Sequence, residues 1–299
     1  MSRRIARRDF LKSGSLAAGA LAYAANLDGK ACEQASPAKP KPSDVRISTA
    51  SYQPVTDYPI QPKRYSEVTL TDEFWKPKVA RNAEVTIPFV VAKFKDGPRE
   101  FGGGVLGAAI LSLATHPNPS LQADVDARVH ALSKAEPRGN RGFEIAATYF
   151  QVTGKRDLVE DAIQAAEPLY KDFKTSNPPF SGGERDAMNC IQLYRVTHDR
   201  KHLDLAKHYL DIRGLENSLN RSRHNQSYKP VLEQTEAVGH AVNCVTLMVS
   251  MLDVGVLTGI KDYVVAAQRM WADAVERKMY VTGGVGTTGN EGFGEPYSL

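Results

Sequence analysis

Three segments of this 299-residue chain carry the same punctuation: an aliphatic run ends, a Thr follows, then a short polar turn and a second amphipathic run. They are Val152-Thr153-Gly154-Lys155-Arg156-Asp157-Leu158, Val196-Thr197-His198-Asp199-Arg200, and Leu257-Thr258-Gly259-Ile260-Lys261-Asp262-Tyr263. Nine residues after each Thr stands an Ala, at Ala162, Ala206 and Ala267, and the repeats are 44 and 61 residues apart. Gly154 and Gly259 suit the left-handed residue that closes a helix, and the alanines suit close helix–helix approach. This is an internal repeat of αα-hairpins. A single hairpin cannot bury its own apolar stripe, so hairpins must stack. An open α-solenoid and a closed α/α toroid both satisfy that requirement. The unequal spacing favours the toroid, because strict solenoids keep their period.

The rest of the pattern agrees with an all-α chain. Apolar positions recur at three and four residues over 105–113, 143–152, 158–169, 187–196, 203–212, 237–257 and 263–275. Gly and Pro fall mainly between these runs. Long inserts, such as 214–230, become loops around a central pocket. One short β segment is expected at the N-terminal side, where residues 65–70 alternate and carry Val and Thr. Thr71 or Asp72 then caps a helix, with Glu73 in its first turn.

The front of the chain reads as an export signal. Arg7-Arg8-Asp9-Phe10-Leu11-Lys12 is a twin-arginine motif, residues 14–25 are a small apolar run, and Ala22-Tyr23-Ala24 resembles a cleavage site. Residues 1–25 are therefore expected to be a leader that places the protein in the periplasm or outside the cell. The apolar run is too short to hold a bilayer after cleavage. Residues 26–63, rich in Pro, Ala, Lys and Ser without a period, read as a disordered linker. Residues 64–299 are left for the folded domain.

Charge narrows the function. The chain carries 38 Lys and Arg against 34 Asp and Glu, but residues 1–24 hold five of the bases and one of the acids. The remainder is neutral, which argues against nucleic acid or an anionic membrane as partner. The three cysteines, Cys32, Cys190 and Cys244, show no C-x-x-C or His/Cys spacing. Cys190 and Cys244 read as small buried hydrophobes. No metal site is expected from this chain's own residues.

Two stretches could carry chemistry. Residues 229–242 place Glu233, Gln234, Glu236 and His240 close together, just before a strongly apolar run. On a helix, Glu233, Glu236 and His240 would share one face, a polar end suited to sugar hydroxyls. A solvated first turn with a surface His reads equally from the pattern. The second stretch, 280–295, has six glycines and two carboxylates, Glu291 and Glu295. No G-x-x-x-x-G-K-[ST] is present, so it is not a phosphate loop. A carboxyl on such a loop at a pocket rim suits general acid/base work, and a plain surface loop is the alternative. Arg141, Glu144, Glu184 and Arg185 read on their own as solvated charges near helix starts. No role is assigned to His116, His130, His198, His202 or His208, and no Ser/His/Asp order or G-x-S-x-G elbow occurs.

The segments EQTEAVGHAV (233–242) and KMYVTGGVGTTGNEGFGEPYSL (278–299) resemble glycoside hydrolase family 127. So do VTLTDEFW (68–75), VTIP (85–88), LYRVT (193–197) and LDLAK (203–207). The resemblance spans roughly 65–299 and implies a β-L-arabinofuranosidase-like hydrolase on a six-hairpin α/α toroid, here incomplete. It implies retaining hydrolysis of a terminal sugar, with a zinc-held cysteine thiolate as nucleophile and a glutamate as acid/base. By position, Glu291 takes the acid/base role and His240 contacts the sugar. Glu233, Gln234, Glu236, Glu144 and Arg141 would shape the substrate pocket. The family's zinc ligands fall beyond Tyr297-Ser298-Leu299, so zinc is expected in the whole family enzyme and not on residues of this chain. Where the family has Asp-Ser-Asp this chain reads Phe101-Gly102-Gly103-Gly104, and family histidines align near Arg141 and Gly183. The resemblance thus implies a divergent sugar site. Two rivals remain: a sugar epimerase or uronide hydrolase on the same toroid, and a non-catalytic glycan-binding or scaffold protein. The sequence sets no oligomeric state.

Overall fold

A computed structural model describes residues 68–94, 103–133, 140, 142–175, 184–216, 221–286, 289 and 291–298. The leader, the linker, Phe101, Gly102, Arg141, Gly183 and Cys32 lie outside the described residues. The chain divides into two compact units, with the boundary after Ile163.

The first unit begins with Asp72, whose carboxylate accepts the N–H of Phe74 at 3.0 Å and of Trp75 at 2.5 Å. This is the expected cap, though Glu73 lies ahead of the helix rather than in its first turn. Helix α1 (Trp75–Arg81) runs through a π turn (Asn82–Thr86) into α2 (Ile87–Phe94). Helices α3 (Gly103–Leu113), α4 (Pro119–Ser133) and α5 (Phe143–Thr153) follow. Phe143, Tyr149 and Phe150 make α5 the buried centre of this unit. A methyl group added at Gly107 of α3 would touch Ile145 of α5 at 3.5 Å. Helix α6 (Asp157–Thr175) starts here and crosses the boundary.

The second unit holds the rest of α6 with α7 (Asp186–Thr197), α8 (Arg200–Asp211), α9 (Ala241–Thr258) and α10 (Lys261–Arg277). Helix α6 meets α8 through Lys201 and Glu167 at 2.9 Å, and through the Phe173 and His208 rings at 4.3 Å. A buried ion pair, Arg195–Asp253 at 2.7 Å, ties α7 to α9. Among the described residues, α9 is long and apolar enough to cross a membrane. Its side chains are mostly buried, and it serves as the core helix of this unit.

The repeat read from the sequence is present in the second unit as two hairpins, α7–α8 and α9–α10, and the same kind of turn joins α5 to α6. The repeated Thr is the last residue of each first helix. Its hydroxyl donates back one turn: Thr153 to Tyr149 O at 2.7 Å, Thr197 to Leu193 O at 2.8 Å, Thr258 to Val254 O at 2.6 Å. The next residue is left-handed each time: Gly154 (φ 71°), His198 (φ 53°) and Gly259 (φ 76°). Ala162, Ala206 and Ala267 are all buried, as close packing of the second helix requires.

Half of the segment expected as a strand, residues 65–67, lies outside the described residues; the described part, residues 68–70, is exposed and irregular. Alternation alone makes no strand without a neighbour to pair its backbone, and among the described residues only isolated bridges occur. Helix α4 was not foreseen, because its buried stripe is just Leu121, Val125 and Val129 among polar residues.

His202, given no role from sequence, is a core residue: its Nδ1 donates to the Thr197 hydroxyl at 2.8 Å. Burial lowers its pKa from 6.5 to about 4. The folded state thus resists a proton that the unfolded state accepts. The neutral ring's contribution is complete above pH 6.5 and declines as pH falls from 6.5 towards 4. Urea midpoints measured across that window should fall with acidity, and His202→Gln should flatten the fall. An unchanged slope in the variant would show that other groups set it.

Candidate active site

Helix α9 begins at a histidine. His240 is its N-cap, with extended backbone (φ −62°, ψ 119°), and its Nδ1 accepts the Asn243 N–H at 3.4 Å. Small polar residues usually take this position. An imidazole there caps with one nitrogen and keeps the other for separate use. With Nδ1 as acceptor, the ring proton belongs on Nε2. Nε2 faces Glu291 Oε2 at 3.4 Å.

The glycine-dense stretch comes back to this helix end. After α10 it turns over Tyr280 and Gly284, whose N–H and C=O pair at 2.9 Å, and Met279 bridges Val285. It then runs antiparallel beside His240 through Gly292. The Ala241 N–H donates to Glu291 O at 2.8 Å, and the Phe293 N–H donates to Gly239 O at 2.8 Å. Glu291 is left-handed (φ 58°), a strained conformation for a side-chain-bearing residue. The contacts on both sides of it hold that conformation in place. Its carboxyl stands at the positive end of an 18-residue helix, where negative charge is favoured. It remains 46% exposed, against 23% for His240.

The other half of the site is the loop 221–240, and here the sequence reading needs correction. Only Val231–Glu233 is helical, as one 3-10 turn. Glu233, Glu236 and His240 therefore share no helical face. Pro230 and left-handed Gly239 bound a segment whose course is set by long-range polar clamps rather than by local period. Arg269 of α10 donates to Leu232 O at 2.8 Å and to Gln234 O at 2.8 Å. Asp273 accepts the Ala237 N–H at 2.9 Å, and Lys278 donates to Ala237 O at 2.8 Å. These two charges also pair at 2.9 Å, both buried. Arg213, fully buried, reaches Asn225 O and pairs with Glu184 at 3.4 Å.

The expected pocket residues take different settings. His240 and Glu291 meet. Gln234 is fully buried and spends its amide on Gln226 O (2.8 Å) and Lys229 O (3.0 Å), so it builds the loop. Glu236 pairs with Arg223 at 3.1 Å, half-exposed. Glu233 is exposed. Glu144 sits in the first turn of α5, in the first unit, with its carbonyl accepting the Thr148 hydroxyl at 2.8 Å. Arg141 lies outside the described residues. Sequence reasoning passed over Gln226 and His224. Gln226, buried and left-handed (φ 56°), donates to Val238 O at 2.7 Å and His224 O at 2.9 Å. Both residues act across a gap of more than ten positions, where no local pattern could have flagged them. A hollow of about 240 Å³ against α10, lined by Leu232, Asp262, Val265, Ala266 and Arg269, shares no residue with the His240–Glu291 pair.

The cysteines behave as the sequence suggested. Cys190 and Cys244 are buried free thiols. Burial pushes both towards the neutral thiol, Cys244 to about 11 and Cys190 further. Among the described residues no group of three His, Cys, Asp or Glu is placed to hold a metal ion.

Comparison with known proteins bears on this arrangement. The profile of the β-L-arabinofuranosidase GH127 catalytic domain matches residues 140–299, which include the whole His240–Glu291 arrangement. A non-reducing end β-L-arabinofuranosidase of Bifidobacterium longum is 26% identical over 249 residues, covering 65% of this chain and 38% of that protein. A solved GH127 β-arabinofuranosidase is 28% identical and superposes with a TM-score of 0.71, over 81% of this chain and 48% of that one. A GH127 β-L-arabinofuranosidase of Geobacillus stearothermophilus T6, 22% identical with a TM-score of 0.65, shares the fold over 78% of this chain and 49% of its own. The chain thus spans less than half the length of each of these relatives. The chain, whose glycine-dense stretch sets a glutamate against a helix-capping histidine, belongs to glycoside hydrolase family 127.

Proposed function

We propose that this chain carries the acid/base half of a glycoside hydrolase that releases a terminal β-linked arabinofuranose-type sugar. One observation carries the reading: the His240 Nε2 faces Glu291 Oε2 at the N-terminus of α9. The contact occupies one carboxyl oxygen and leaves the other for substrate. In the acid form, Oε2 is the carbonyl oxygen that accepts from His240, and the proton on Oε1 is aimed outward. That proton passes to the glycosidic oxygen as the sugar departs. The resulting carboxylate keeps the same histidine contact and can then take a proton from water, as retaining hydrolysis requires.

Zinc and its thiolate, expected for the family, do not fit the residues described here. The two described thiols are buried and held neutral, and neither lies in a cluster of ligands. No step is assigned through the metal, and the group that attacks the anomeric carbon is not among the described residues. Export by the twin-arginine leader is part of the same proposal, since glycan substrates of this kind lie outside the cytoplasm.

The test is to incubate the full-length protein with 4-nitrophenyl β-L-arabinofuranoside and follow the sugar by proton NMR. Release of arabinose with the β anomer formed first is expected. First formation of the α anomer would overturn the double displacement, and absence of release would overturn the hydrolase.

A further inference from the structure

We infer that His224 reads the leaving-group side of the substrate, hydrogen-bonding the sugar unit that departs when the terminal one is cut. The inference rests on the hydrolase reading above and extends it to a residue to which nothing so far gives a role.

The backbone of His224 is fixed on both sides. Its N–H donates to the Ser222 hydroxyl at 3.0 Å. Its C=O accepts from the His240 N–H at 2.9 Å and from the Gln226 amide at 2.9 Å. The approach is tight enough to need a glycine opposite: a Cβ on Gly239 would stand 2.3 Å from His224 O. The chain therefore forces this residue against the catalytic pair.

Its side chain, in contrast, is uncommitted. The imidazole is exposed and makes no hydrogen bond among the described residues. It rests edge-on against the His240 ring, with centroids 5.9 Å apart and planes at 85°. A polar ring on a fixed backbone, with neither nitrogen hydrogen-bonded among the described residues and one ring's width from the proposed proton donor, is a ready contact for a sugar hydroxyl. The solvent gradient sets which sugar. An enzyme acting on chain ends encloses the terminal unit and opens towards the rest of the glycan. His240 is half-buried, whereas His224 and Arg223 are both exposed. Arg223, itself paired with Glu236, continues the polar surface outward.

The experiment compares two substrates on the full-length protein and on His224→Ala. One is 4-nitrophenyl β-L-arabinofuranoside, which offers no sugar on the leaving side. The other is a β-L-arabinofuranosyl-arabinose disaccharide. Loss of a hydrogen bond to the leaving sugar should lower kcat/KM for the disaccharide by about 5- to 10-fold, mostly through KM, with the aryl substrate changed less than about 2-fold. His224→Gln, which can still donate and accept, should recover part of the loss, and an unshifted Tm excludes misfolding. An equal fall on both substrates would place His224 with the terminal sugar and overturn the inference. So would no change on either. Should the wild type cleave neither, the hydrolase reading fails by itself. His224 is then judged by calorimetry, where the variant must lose the preference for the disaccharide over free L-arabinose, and a retained preference overturns the proposal.

Discussion

Glu291→Gln should lower kcat/KM for a methyl or sugar arabinofuranoside by about 10²–10⁴-fold, the usual contribution of a positioned general acid/base. Gln keeps the shape, and its carbonyl oxygen can still accept from the His240 Nε2, now 3.4 Å from Oε2. What it loses is the transferable proton. The loss should therefore depend on the leaving group. A nitrophenolate departs without protonation, so the first step on the aryl substrate should suffer least, and intermediate should accumulate as an initial burst of nitrophenol. Added azide, which attacks without needing a general base, should restore turnover and yield the glycosyl azide. Steady-state kinetics on both substrates with and without azide check this. An equal fall on both, unrelieved by azide, would mean that Glu291 holds the loop or the sugar and moves no proton.

Gly239→Ala should be far more disruptive than its size suggests. At φ 69° a side chain costs about 1–2 kcal/mol from the left-handed backbone alone. The new methyl would also lie 2.2 Å from Arg223 O and 2.3 Å from His224 O, two backbone atoms that cannot turn aside. Overpacking of that kind adds about 1–3 kcal/mol. Gly154→Ala provides the control. It has the same left-handed strain at φ 71° but open space around the added methyl, so only the first cost of about 1–2 kcal/mol applies. Urea denaturation of the two variants should rank them in that order. The Gly239 variant should also lose activity beyond its loss of stability, because the two loop segments that it would push apart carry His224 and His240. Equal destabilisation at both glycines would show that the loop yields and that the close approach is not fixed.

These two sites also show what the sequence could and could not convey. The hairpins were legible because their information is local: an apolar run, a Thr that bonds back one turn, a left-handed residue, and a buried Ala in the returning helix. Thr197, His198 and Ala206 follow the rule even with His in place of the usual Gly. The stretch around Glu233, Gln234 and Glu236 misled because its spacing fits a helix. Its course is fixed instead by Arg269, Asp273 and Lys278, charges 35 or more positions away. No local period reports such clamps. The meeting of Glu291 with His240 crosses about fifty residues and was legible only through the family resemblance. His224 was not legible at all, because it is brought into place by the close backbone approach at Gly239 and by the Gln226 side-chain amide on its carbonyl, neither of which leaves a local pattern.

The claim on which the account depends is that His240 and Glu291 work on one substrate as one unit. A double-mutant cycle on kcat/KM with an unactivated arabinofuranoside, using His240→Ala, Glu291→Gln and both together, measures that directly. The account predicts strong non-additivity, with the double variant little worse than Glu291→Gln alone. Losses that simply multiply would show two residues acting independently and would contradict it.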